Sequence, residues 1–161
     1  MVKNTEIKNT TLKDLFMDDK GGFIPVTRKF SRVLGFNCTG LLEELCDRYD
    51  FYKAQDELNE YGEFFYTVPS MEINTGLTKR EQITAIKKLR EYGFIEYTTT
   101  RSMPRIRYFK MSNSIPKILK HLCAQAESKR KEIQEQNIKD KTKLNKTKSV
   151  LKPLDNAVGT M

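Results

Sequence analysis

The chain has 161 residues, a net charge of +8 at neutral pH and 10% aromatic residues. That size suits one domain with a modest appendage, and disordered chains are poorer in aromatics. No run approaches the ~20 apolar residues of a membrane span, the opening residues lack the apolar stretch of a secretory leader, and three cysteines without C-x-x-C spacing make no disulfide framework. A reduced, cytoplasmic protein that stays off the membrane is therefore expected, and its excess of base calls for a polyanionic partner.

Residues 1–21 read as a flexible arm with one short apolar cluster, closed by Gly21-Gly22. Phe23-Ile24-Pro25-Val26 is extended because the proline disfavours helix at the residue before it. Thr27 is placed to cap a short helix through Leu34, which Gly35 ends. Over 38–55 the apolar residues Cys38, Leu41, Leu42, Leu45, Tyr49 and Tyr52 recur at helical spacing. Glu43, Glu44, Asp47 and Asp50 are expected on the opposite, outer side of that helix. A polar link leads into the strand-like Glu63-Phe64-Phe65-Tyr66-Thr67. Pro69 then opens a helix of about two turns that Gly76 closes. Thr78-Lys79-Arg80-Glu81 is a capping box. The helix that it starts runs through Tyr92, with Gly93 after it. Residues 94–99 and 105–111 read as two strands around a turn, with Ile106 and Tyr108 on one face and Arg105 and Arg107 on the other. Residues 115–126 form another amphipathic helix. Beyond Ser128 the apolar period fails, and the Lys-rich remainder is expected to be disordered.

The charge is segregated along the chain. Residues 1–37 carry seven bases and four acids, and residues 38–72 carry two bases and nine acids. Residues 73–113 carry nine bases and three acids, and residues 114–161 carry eleven bases and five acids. An acidic segment followed by basic ones suits a protein that turns one face to a polyanion.

The order strand, short helix, glycine turn, longer helix, strand, turn, strand over 64–111 is that of a winged helix-turn-helix. The turn needs a residue that takes positive φ without steric cost, which Gly76 supplies. The second helix then fits the major groove of duplex DNA. With Ala85, Ile86 and Leu89 facing the core, the other face offers Lys79, Arg80, Ile83 and Thr84 to base edges, next to Thr78 at the helix start. Lys87 and Lys88 are expected on phosphates, and Arg101, Arg105 and Arg107 supply charge on the wing. Gln82 is open between facing the short helix and reading adenine.

The run TGLTKREQITAIKKLREYGFIE, from Thr75 to Glu96, resembles the recognition helix and wing start of winged-helix proteins from phages, plasmids and other mobile elements of Gram-positive bacteria. The likeness rests on Gly76-Leu77-Thr78, Ala85-Ile86-Lys87-Lys88-Leu89 and Gly93-Phe94-Ile95. The stretch Gly22-Phe23-Ile24-Pro25-Val26 is similar to the lead-in of phage replication initiators with a DnaD-type winged helix. The resemblance implies Leu77 and Leu89 in the core, binding of double-stranded DNA, and a role in replication initiation or its control. It also implies a replication-protein partner. Transcriptional regulators share the same fold and are the alternative role.

The expected fold is mainly α with a small antiparallel sheet. A flexible arm (1–21) leads to a winged helix-turn-helix domain (22–113), a C-terminal helix (114–127) and a disordered basic tail (128–161). Residues 115–126 either pack on the core or pair two copies as a homodimer, and the tail adds charge. Phe64, Phe65 and Tyr66 either stack on bases or, the favoured reading, pack the wing sheet. His121 has no cysteine or acid at metal spacing, and no nucleophile, base and acid form a catalytic set. A binding protein without cofactor or metal, not an enzyme, is expected. A third reading makes the acidic helix 38–56 a protein-docking element on a winged fold that only supports it.

Overall fold

The computed structural model describes residues 22–151; the arm expected over 1–21 and the end of the expected tail, 152–161, lie outside the described residues. The protein is mainly helical with one small three-stranded antiparallel sheet. Helix α1 spans Arg28–Leu34 and ends at Gly35. The Thr27 hydroxyl makes no capping bond. Instead the Thr27 carbonyl accepts from the Ser31 amide at 3.1 Å and the Ser31 hydroxyl at 2.9 Å. Helix α2, Phe36–Ala54, buries Cys38, Leu41, Leu42 and Leu45 and half-buries Tyr49 and Tyr52.

Strand β1 is Phe64–Phe65. Helix α3, Val68–Thr75, starts where the Thr67 side chain accepts from the Ser70 amide and has Pro69 in its first turn. It stops at Gly76, which is left-handed at φ 71° and so takes a conformation that a side chain would strain. Only Gly76, Leu77 and Thr78 separate it from helix α4, Lys79–Glu91. Both halves of the capping box form: the Thr78 hydroxyl accepts from the Glu81 amide, and the Glu81 carboxylate accepts from the Thr78 amide at 2.9 Å.

Strands β2 (Ile95–Thr99) and β3 (Arg107–Met111) make the hairpin of the wing, and β1 pairs with the other edge of β3, in the order β1-β3-β2. The order of elements is the winged helix-turn-helix order that the sequence predicts. A continuous core runs beneath α2, α4 and the sheet and holds Leu41, Leu45, Met71, Leu89, Phe94 and Phe109.

Two expectations are corrected. In β3 the inward residues are Arg107, Phe109 and Met111. Cross-strand partners share a face, and β3 pairs Phe109 with Phe64 and Met111 with Ile95; Arg107 is in phase with those two apolar residues and is carried into the core with them. The tail is not disordered from residue 128. Helix α5 is continuous over Ile115–Val150, although Ala126 is its last buried residue. An apolar period reports burial, not helicity. No Gly or Pro interrupts 117–152, and Lys, Glu, Gln and Ala favour helix. The packed turns of 115–126 supply the costly nucleus, and lysines near the C-terminus complement the helix dipole.

Two outcomes follow for stability. Thr78→Ala is expected to lower unfolding free energy by about 1 kcal/mol through loss of the cap, measured by urea titration. A chain ending at Ser128 is expected to lose helical ellipticity but keep the urea midpoint of the full chain in dilute solution; a lower midpoint would show that 129–150 packs on the body.

Candidate nucleic-acid interface

Helix α4 has two chemically distinct faces. Its inner face buries Gln82, Ala85, Ile86 and Leu89. On its outer face Lys79, Arg80, Ile83, Thr84 and Lys87 are exposed, and Ile83 keeps 56% of its surface in solvent. Lys87 has a loose contact to Glu91 at 4.0 Å. The Thr84 hydroxyl donates back to the Arg80 carbonyl at 3.1 Å, leaving its methyl and its acceptor lone pairs outward. Thr78 is exposed at the start of this face, with its amide and hydroxyl both engaged by Glu81. The Thr78 amide first, and then its hydroxyl, hold the Glu81 carboxyl below the usual carboxylate range.

Three of the residues expected on DNA belong elsewhere. Gln82 is fully buried: its amide nitrogen donates to the carbonyls of Val68 at 3.1 Å and Leu77 at 2.8 Å, and its oxygen accepts from Arg107 Nη2 at 3.0 Å. Every strong hydrogen-bonding position of the side chain faces inward, so it reads no base; of its two open readings, facing the short helix holds. Arg107, 6% exposed, also donates from Nε to the Tyr66 carbonyl at 3.0 Å. It is a tie between wing and helix, not a wing contact. Lys88 is half-buried and donates to the Leu34 carbonyl at 2.7 Å. It caps the C-terminal end of α1, where a cation meets the negative end of the helix dipole.

Arg101 and Arg105 are exposed in the loop that joins β2 to β3, at the tip of the wing. Residues of α4 and the wing tip therefore give the outer basic set Lys79, Arg80, Lys87, Arg101 and Arg105. Arg90, which the sequence reading left without a role, lies over the Tyr97 ring at 5.8 Å and fastens the end of α4 to the sheet. Phe64 and Tyr66 are buried, with Phe64 stacked against Phe109 at 5.9 Å. They pack the sheet, as favoured from sequence, and only Phe65 is exposed.

Beneath the site lies a polar cluster that spacing did not reveal. Glu44, expected outside, is buried; its carboxylate accepts from the Tyr66 hydroxyl and from Arg48 Nε at 3.0 Å. Asn74 donates to the Tyr66 oxygen at 3.0 Å. Burial first, and then the bond to Glu44, push the Tyr66 phenol up to about 12. The cluster fixes α3 to α2 and so sets the platform on which the turn to α4 rests. Among the described residues, no group of three or more His, Cys, Asp or Glu side chains gathers as a metal site.

Gln82→Leu is expected to cost about 1–3 kcal/mol, because it leaves the Arg107 guanidinium buried with a lost acceptor; urea titration measures it. Glu81 gives a pH signature. Its folded pKa lies below the ordinary value, so its contribution is complete above the ordinary carboxylate range and is lost as pH falls through the lower, folded value. The stability difference between the native chain and Glu81→Ala is expected to shrink over that acid window.

Comparison of the chain with protein-family models, with curated proteins and with solved structures finds no match.

Proposed function

We propose that this protein binds double-stranded DNA with sequence preference, by inserting the outer face of α4 into the major groove and laying the wing tip along the adjacent backbone. The observation that carries this reading is the division of α4. Its inner face is clamped by packing and by Gln82, and its outer face presents Lys79, Arg80, Ile83, Thr84 and Lys87. Lys and Arg near the N-terminus of a recognition helix suit guanine edges, and Ile83 and the Thr84 methyl suit thymine methyl groups. Arg101 and Arg105 suit phosphates, which position without specifying. Binding is the whole of the proposed activity; no chemical step is assigned.

The role we put first is initiation of replication, or its control, on a phage, plasmid or other mobile element. Regulation of transcription is the alternative within the same class. A footprint inside an origin supports the first and one over a promoter the second. A docking reading also has an observation behind it: Phe51, Tyr61 and Phe65 are exposed in the acidic segment 38–72, a surface suited to a basic or replication-protein partner.

Arg80→Ala is expected to weaken binding to a selected site by about 1–3 kcal/mol more than binding to random duplex, through loss of a bidentate base contact. Equal losses on both duplexes, read by fluorescence anisotropy, would limit Arg80 to phosphate. Arg107→Lys, by contrast, is expected to lower stability before it lowers salt dependence, because the guanidinium has no path to phosphate.

A further inference from the structure

Beyond Ala126, helix α5 leaves the body of the domain and every described side chain from Glu127 to Leu151 is exposed. Of the exposed apolar residues on this helical extension, two share the side that seats the helix, while Ile138 and Val150 lie off it. Ile133 and Leu144, 46% and 54% exposed, stand three helical turns apart and project from one side. It is the side on which Leu122 and Ala126 are buried, so the face that seats α5 on the body continues uncovered along the extension. Between them Asn137 and Asp140 complete a 4-3-4 spacing, the period of a coiled-coil seam.

We propose that this seam is a self-association surface on which the extensions of two copies pair antiparallel. The sequence chooses both the partner and the direction. A parallel pair would set Arg130 against Arg130, Asp140 against Asp140 and Lys143 beside Lys148, three like-charge contacts. The antiparallel pair sets Ile133 on Leu144 of the partner subunit, and Arg130 on Thr147 of the partner subunit. It sets Asp140 on Asn137 of the partner subunit, and Glu127 beside Lys148 of the partner subunit. Gln136 already donates to Asp140 Oδ1 at 2.9 Å, and Oδ2 is the acceptor proposed for that asparagine amide. The Asn137–Asp140 pair between the two apolar contacts fixes register at some cost in stability.

Length gives an independent argument. The midpoint between Ile133 and Leu144 is also the midpoint of the exposed helix 127–150. The register that matches the apolar residues therefore overlaps the two free segments end to end, over about 36 Å at 1.5 Å per residue. It stops where α1 already covers the seam. The interface is isologous and closes on itself. If the duplex reading also holds, on which this consequence alone rests, the two bodies stand about 37 Å apart along the helix pair, near one turn of DNA, and the target site has two inverted half-sites.

The test is sedimentation of the full chain without DNA, which separates this proposal from the duplex reading. A monomer–dimer equilibrium is expected, and Leu144→Lys is expected to raise its dissociation constant about tenfold or more while leaving the urea midpoint in dilute solution unchanged. Orientation is read with Ile133→Cys and Leu144→Cys, each in a Cys123→Ser background, under mild oxidation. Mixing the two variants is expected to give a cross-linked dimer and neither alone is. Like positions lie about 16 Å apart in the antiparallel pair, beyond the reach of a disulfide. A chain still monomeric at about 1 mM, or cross-linking of each variant with itself, overturns the proposal. Monomeric behaviour with loss of duplex affinity on deleting 128–161 would assign the extension to DNA instead.

Discussion

The Arg107 guanidinium is the tie on which the arrangement of the motif depends. It sits under the sheet, donates to the Tyr66 carbonyl and to Gln82 Oε1, and lies 5.6 Å from the Phe109 ring centre. Gln82 passes the connection on to the carbonyls of Val68 and Leu77. One side-chain pair thereby joins the wing strand, the segment after β1, the start of α3, the turn and α4. No carboxylate pairs with Arg107 among the described residues; carbonyl and amide dipoles hold the charge, and burial lowers its pKa below the ordinary value. Such a charge is costly to bury and more costly to orphan. The rotation of α4 about its own axis is fixed in consequence, and rotation decides which side chains face outward.

Charge is separated across the fold as it is along the chain. Cys46 reports the field on the acidic side. Its thiol is pushed up to about 11, by burial first and then by Glu43, Asp50 and Asp47. Glu43 is raised as well, by burial and by Asp47. On α4 Lys79, Arg80 and Lys87 lie outward, with Lys87 near Glu91 as the one described ion pair there. For the proposed duplex binding, acidic residues on α2 beside the basic outer face of α4 would repel the polyanion from one side and so orient its approach.

Local signals made the elements of the motif legible in the sequence. Gly76, the Thr78–Glu81 box and Gly93 mark the turn and both ends of α4 through backbone chemistry that needs no tertiary context. The exposed members of the proposed interface, Lys79, Arg80, Ile83, Thr84 and Lys87, followed from the phase of Ala85, Ile86 and Leu89. What could not be read was long-range. Arg107 was placed with Arg105 on the face opposite Ile106 and Tyr108 by strand alternation, yet the pairing of β3 with β1 and β2 turns that face inward. Gln82, Lys88 and Glu44 find partners 14, 54 and 22 residues away, and no local pattern announces those bonds. The extension of α5 was missed for another reason: loss of burial was read as loss of helix.

The central claim is that the outer face of α4 reads base sequence in duplex DNA. Affinity selection from a random duplex pool, with the winning site then titrated across salt concentrations, tests it most directly. The account predicts enrichment of a defined motif whose affinity falls steeply with salt yet stays above that of random duplex by about a thousandfold or more. A pool that emerges without enrichment, or binding equal on all sequences at every salt concentration, would contradict it.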